Sequence, residues 1–149
     1  MNILLWRHAE AAAGFPDHER ALTEKGRLQA KRMAVWLNAR LPPETVVLVS
    51  PAVRAQQTAR ALKRDFTTCE ALDTSTDCAR VLKALGPRKH EGATLIVGHQ
   101  PTLGHLASLL LTGAEGDLSV KKAAVWWLTL GRERKVYAVL RAVMTPEML

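Results

Sequence analysis

No stretch of this chain stays apolar for the ~18 residues that a membrane-crossing helix needs. Its first apolar run, residues 2–6, has no basic flank and is too short for a signal peptide. These absences read as a cytosolic chain with no membrane partner. Cysteine is nearly missing. Cys69 and Cys78 are the only two, neither has metal-ligand neighbours, and they read as free thiols of a reducing compartment. Repeats, low-complexity segments and linkers are also absent. Aromatic residues make up only 5%, so no aromatic-interleaved basic stripe exists despite a net charge of +7. The excess charge alone admits nucleic acid, a membrane surface or an acidic ligand. Its carriers, such as Lys25, Arg32, Arg60, Lys83, Lys121 and Arg134, are scattered among acids and apolar residues. That pattern excludes nucleic-acid binding as the main function. It leaves a solvated surface able to steer an anionic substrate.

What is present is an ordinary globular composition of 48% hydrophobic and 23% charged residues over 149 positions. That suits one domain, residues 1–149, with a buried core. Residues 2–6 read as a buried strand. Thr23 is a candidate N-cap for a helix running to about residue 40, with Ala30, Met33, Ala34, Leu37 and Leu41 on one face and Pro42-Pro43 as its stop. The apolar residues 46–49 read as a strand buried on both faces. Ser50 as N-cap with Pro51 at the first helical position starts a second helix that carries Arg54 in its first turn. Residues 67–72 read as a short strand. Residues 77–85 read as a helix with Val81, Leu82 and Leu85 inward, ended by Gly86-Pro87. A strand over residues 93–98 precedes a helix from Pro101 through Leu111, ended by Gly113. Residues 123–130 and 135–143 form a hairpin with a four-residue loop, Gly131-Arg132-Glu133-Arg134. Trp126 and Trp127 fall on its opposite faces. The expected fold class is α/β: a single-domain three-layer sandwich on a mainly parallel mixed sheet.

Three of these strands end in the same kind of residue. The first runs into Arg7-His8, the second into Ser50-Pro51-Ala52-Val53-Arg54, and the third into Gly98-His99-Gln100-Pro101. Carboxyl ends of parallel strands share one sheet edge, where ligands bind. Arg7, His8, Arg54 and His99 therefore meet in one expected pocket. A neutral imidazole on His8 can attack phosphorus and form a covalent phosphoenzyme. Neighbouring arginines disfavour its protonated form. Arg7 and Arg54 can each hold phosphoryl oxygens with two donors, and His99 can donate to another. Phosphoryl transfer is mostly positioning and charge stabilisation, which such a clamp supplies. The bland alternatives are strand-end histidines that only pack and an arginine in a surface salt bridge. A cation in a helix's first turn opposes the macrodipole, which favours an anion beside Arg54.

The stretch Leu5-Trp6-Arg7-His8-Ala9-Glu10 resembles the Arg-His-Gly/Ala-Glu signature of the histidine phosphatase superfamily, which includes the cofactor-dependent phosphoglycerate mutases. Leu22-Thr23-Glu24-Lys25-Gly26-Arg27-Leu28-Gln29-Ala30, Ser50-Pro51-Ala52-Val53-Arg54-Ala55-Gln56-Gln57-Thr58-Ala59 and Val97-Gly98-His99-Gln100-Pro101 are similar to further patterns of that family, in its order. The short chain resembles the SixA-type phosphohistidine phosphatases. The resemblance implies a phosphoglycerate mutase-like fold, the roles just given for Arg7, His8, Arg54 and His99, and a reaction without metal or other cofactor. It also marks Arg20, just ahead of Leu22-Thr23, as a substrate-contact candidate; an exposed ion pair with Asp17 or Glu24 is the alternative. Gln100 is left between touching the ligand and capping the fourth helix. His18, His90 and His105 lie off the motifs.

Many relatives resemble one another in taking a general acid from an insertion. The corresponding interval, residues 65–92, is short here and leaves no room for a cap. Asp73, Asp77 and Glu70 are the acids within it, and N-capping is a ready role for Asp77. An alkoxide leaving group needs a proton, whereas imidazole leaves more readily. The expected activity is therefore a metal-independent phosphohistidine phosphatase acting on a phosphorylated phosphotransfer protein, with phosphate and its oxyanion analogues as ligands. Two alternatives stand beside it: a small-molecule phosphomonoesterase of the same superfamily, and a phospho-ligand binding module without turnover.

Overall fold

In the computed structural model, which describes residues 1–86, 92–131 and 137–149, strand and helix alternate and an antiparallel pair closes the chain. The strands are β1 (Asn2–Arg7), β2 (Val46–Val49), β3 (Thr67–Thr68), β4 (Ala93–Gly98), β5 (Val125–Thr129) and β6 (Val139–Met144). The helices are α1 (Glu24–Asn38), α2 (Val53–Arg60), α3 (Cys78–Leu85) and α4 (Thr102–Thr112). One sheet runs in the order β3-β2-β4-β1-β5-β6. The pairs β3/β2, β2/β4 and β4/β1 are parallel, and β1/β5 and β5/β6 are antiparallel. This is the expected mixed α/β sandwich.

Alternation along the central strands builds two cores. Leu4, Trp6, Val47, Val49, Leu95 and Val97 pack with Met33, Ala34 and Leu37 of α1 and Ala55 and Ala59 of α2. Ile3, Leu5 and Ile96 face the other way, onto Val81 of α3 and Leu103, Leu106 and Leu110 of α4. Trp127 and Trp126 divide between the two sides, as expected. Such burial contributes roughly 25 cal/mol per Å² of apolar surface. From β1 the chain crosses to the β2 side, and from β4 it crosses to β5 on the other side of β1. The order thus switches between the neighbours β1 and β4, the place where open α/β sheets bind ligands.

Several expectations change. Ser50 is not an N-cap: α2 starts at Val53, three residues later, with Ala52 before it and no side-chain cap, while the Ser50 hydroxyl accepts from Ala52 N–H and lies against His99 Nε2. β2 is not buried on both faces, since Val46 is 52% exposed. Residues 67–72 hold only a two-residue strand; Leu72 N–H then donates to Cys69 O and Asp73 N–H to Glu70 O, which turns the chain into a 3-10 turn. β5 ends at Thr129, where Leu130 N–H donates to Met1 O, and β6 begins at Val139, after Ala138 N–H donates to Leu110 O; the expected loop Gly131-Arg132-Glu133-Arg134 falls on positions that, after Gly131, lie outside the described residues. Pro87, His90 and the positions Arg132, Glu133, Arg134 and Lys135 lie outside the described residues. Cys69 and Cys78 are free thiols, and burial first, then Glu115, pushes Cys78 up to about 11. Among the described residues no helix is long and apolar enough to cross a membrane, and no group of three His, Cys, Asp or Glu could hold a metal ion.

Candidate active site

The register of β1 on β4 pairs Arg7 with Gly98, so the next residues, His8 and His99, leave the sheet side by side. Their ring centroids are 5.2 Å apart. His8 N–H donates to Gly98 O at 3.1 Å, and Ser50 N–H donates to Val97 O at 3.0 Å, which fixes the tip of β2 beside them. Arg54 follows in the first turn of α2. The four expected residues therefore meet. His8 (7% exposed), Arg54 (4%) and His99 (5%) are buried, and Arg7 is half-buried.

Local hydrogen bonds hold this geometry. Thr58, one turn beyond Arg54, donates to Arg54 O at 2.7 Å and accepts from Ala9 N–H at 3.0 Å, tying the nucleophile loop to α2. Gln29 of α1 accepts from Glu10 N–H at 3.0 Å. Thr23 caps α1 through Gly26 N–H at 2.9 Å and donates to the Glu10 carboxylate at 3.0 Å. A Cβ on Gly26 would stand 2.0 Å from Glu10 O, so only glycine lets α1 approach that loop. The second motif is thus a cradle for Ala9-Glu10 and not part of the pocket. Gln100 takes the capping alternative: it accepts from Gly104 N–H and donates to Leu118 O, both at 2.8 Å.

The side chains leave an informative remainder. Arg7 Nη1 donates to Val120 O at 3.0 Å. Arg54 Nη1 and Nη2 donate to Asp17 O at 2.8 Å and Asp17 Oδ2 at 3.1 Å. Among the described residues, Arg7 Nε, Arg54 Nε and His99 Nδ1 are buried nitrogens without a hydrogen-bond partner. Buried donors are normally satisfied, and leaving one unpaired costs ~1–3 kcal/mol. An anion with several acceptor oxygens fits that set.

Both imidazoles are neutral at physiological pH. Burial lowers His8 to about 4; the Ala9 carbonyl opposes this, and the charges of Arg54, Arg7 and Arg20 reinforce it. The sequence argument named the arginines, but burial is the larger cause. His99 is lowered to about 3 by burial, then by His8 and Arg54. Burial and then Arg54 also lower Arg7. His8 Nδ1–H donates to Ala9 O at 2.7 Å, which leaves the ring's lone pair on Nε2.

The sequence named Asp17 only as an ion-pair partner of Arg20 and gave no sign of its contact with Arg54. Its carboxylate joins Arg54 to Arg20, whose Nε donates to Oδ1 at 3.0 Å, and the hydrogen bonds from Arg54 and then Arg20 lower its pKa. Arg20 takes the ion-pair alternative with Asp17 and also donates to Ala12 O at 3.2 Å. His18, also read as off the motifs, pairs with Asp73. The acids of the interval after β3 are engaged elsewhere: Asp73 with His18 and Thr74 N–H, and Asp77 as the N-cap of α3 through Arg80 N–H. Glu70 is exposed on the 3-10 turn.

Comparison with known proteins follows the same lines. The model of the histidine phosphatase superfamily (branch 1) matches residues 3–76. The phosphohistidine phosphatase SixA of Escherichia coli is 32% identical over 76% of each chain. A structure of the protein histidine phosphatase SixA complexed with tungstate superposes with a TM-score of 0.84, at 27% identity over 99% of both chains. A putative α-ribazole-5'-P phosphatase of E. coli shares the fold, with a TM-score of 0.77 at 19% identity over 98% of both chains. The binding module without turnover is thereby set aside. The arrangement of strand tips and the matched sequence lead to one placement: the chain belongs to the histidine phosphatase superfamily, among its SixA-type members, and is a phosphatase.

Proposed function

We propose that this chain, acting as one domain in the cytosol, removes phosphate from a phosphohistidine on a phosphotransfer protein. The observation that carries this reading is that, among the described residues, the aspartates that could protonate a leaving group are each engaged by other groups, while Glu70 is exposed on its 3-10 turn. Asp17 is held by Arg54 and Arg20, Asp73 by His18, and Asp77 by the start of α3. Among the described residues, the span between β3 and β4 holds only a 3-10 turn and the short α3, which suits access by a phosphorylated side chain on a folded protein.

In this mechanism the Nε2 lone pair of His8 attacks phosphorus. A new N–P bond forms as the bond to the substrate imidazole breaks; the substrate ring, protonated on its other nitrogen, takes the electron pair and leaves as neutral imidazole. Arg7 and Arg54 hold the transferring oxygens through their unpartnered Nε–H groups, and His99 Nδ1–H donates to another. Water then attacks the phosphoryl group on His8 and releases phosphate and the free imidazole. Arg20 acts at the rim through Asp17, touching the substrate only if the pair opens. The chain's own residues supply the positive charge, so the reaction runs without metal or other cofactor. The tungstate bound by its SixA relative supports an oxyanion in this pocket.

The alternative, a small-molecule phosphomonoesterase, draws on the fold shared with the α-ribazole-5'-P phosphatase. The deciding measurement compares kcat/KM on a phosphohistidine protein and on a phosphoserine peptide. The phosphohistidine protein is expected to be much the better substrate. Equal or better turnover of the peptide, or a phosphorylated metabolite that outperforms both, rejects the assignment.

A further inference from the structure

Ser50 lies at the tip of β2 and is fully buried. Its hydroxyl is 2.7 Å from His99 Nε2 and accepts from Ala52 N–H at 3.2 Å. These are its hydrogen-bond contacts among the described residues. A buried hydroxyl has one proton to place, and leaving it unpaired is costly. The backbone N–H already occupies a lone pair of the oxygen, so the acceptor within reach of the hydroxyl proton is His99 Nε2. If Nε2 carried the ring proton instead, the hydroxyl proton would have no acceptor. His99 Nδ1, which like Arg7 Nε and Arg54 Nε is buried without a partner, would then present a lone pair to a phosphoryl group bound beside it. A lone pair aimed at phosphoryl oxygens repels them.

We propose that Ser50 is a positioning residue: by donating to Nε2 it locks His99 in the Nδ1–H tautomer, and so turns the ring's other nitrogen into a hydrogen-bond donor for the phosphoryl group. A neutral imidazole is a donor at only one nitrogen, so the tautomer decides whether His99 attracts or repels the ligand. The neutrality follows from the burial that lowers His99 to about 3. The serine of the Ser50-Pro51 pair is thereby assigned to the site across the sheet edge and not to the helix after it. This inference rests on a phosphoryl group in the pocket but is indifferent to which molecule carries it.

The first test uses the wild-type protein with ¹⁵N-labelled histidine. Long-range ¹H–¹⁵N spectra at pH 7 should show His99 neutral and protonated on Nδ1. A ring protonated on Nε2 overturns the proposal whatever any variant does. The second uses Ser50→Ala, with its melting temperature measured alongside. His99 should lose its single tautomer and tungstate should bind more weakly. The kcat should fall by roughly tenfold or more with KM changed less, a smaller loss than the ~10²–10³-fold of deleting a transition-state donor. Unchanged turnover, or a loss with the tautomer still fixed on Nδ1, overturns the role of Ser50. Because tautomer and tungstate affinity are read without a substrate, failure here is distinct from a failed phosphohistidine assignment.

Discussion

Two pairs of arginines lie beside flat rings in this molecule. Arg7 and Arg54 flank the imidazoles of His8 and His99 at the tips of β1 and β4, whereas Arg40 and Arg141 lie over the indoles of Trp36 and Trp127, at 4.7 and 5.1 Å from their centroids. The indoles meet edge to face, 6.3 Å apart. Both places look cationic on paper. Arg40 and Arg141 are exposed; Arg40 also donates to Trp36 O at 3.0 Å, and water can satisfy the rest. Arg7 and Arg54 keep buried Nε–H groups without a hydrogen-bond partner, and the neighbouring rings are held neutral. An exposed cation–π pair contributes only about 0.5–1 kcal/mol. Charge alone does not make an anion site; burial and unspent donors do.

The comparison breaks most visibly at His8. His8→Ala should lower phosphate release by roughly 10⁴-fold or more, the scale on which enzymes lose activity without their nucleophile. Rapid quenching of the wild type should trap an acid-labile phosphoryl group on that ring. Substantial residual activity in a folded mutant would sink the nucleophile assignment.

The next effect separates the two arginine pairs directly. Arg54→Ala should lower kcat/KM by ~10²–10³-fold, as loss of a donor aimed at developing charge does. It should also remove most of the rise in melting temperature that tungstate produces by binding the native state. Arg141→Ala should change both by less than about twofold, because its guanidinium is exposed. Equal effects at the two positions would mean that bulk charge, not the pocket, binds the anion.

Proton binding sharpens the same contrast. In NMR titrations His8 should stay neutral to well below pH 6, with a midpoint near 4, and His99 should titrate near 3. Midpoints near 6.5 would mean a wet site. Because both folded-state values lie below the ordinary 6.5, the unfolded chain binds more protons between them. Stability should therefore be complete above pH 6.5 and fall as pH is lowered toward 4 and then 3. Tungstate, placing negative charge beside both rings, should flatten that fall.

The smallest effect expected is none. Chelators should leave turnover unchanged, because Arg7 and Arg54 already supply positive charge to the transferring group. Loss of activity that a divalent ion restores would refute that account.

Much of the site was legible because its residues sit at the ends of strongly patterned strands. β4 lies where the apolar run of residues 93–98 placed it, and α1 begins at the expected cap, Thr23. Parallel register then carries His8 to His99 without further information. The misreadings have a common physical source. Ser50-Pro51 carries a good local capping signal, yet α2 begins only at Val53 and the hydroxyl meets His99, 49 positions away on another strand tip. Asp17 carries a local signal only toward Arg20, because its other partner, Arg54, comes from a different element.

The sequence by itself determined which segments are strands and helices, that the sheet is mixed, and that Arg7, His8, Arg54 and His99 lie at strand ends or a first helical turn. Periodicity and capping are local, so a chain of letters can carry them. Only the tertiary structure decided which hydrogen bonds those side chains spend and which they keep. It alone left the Nε–H groups of two arginines and one nitrogen of His99 unpaired, and it alone lowered both histidines. Desolvation depends on everything packed around a group, and no window of sequence contains that.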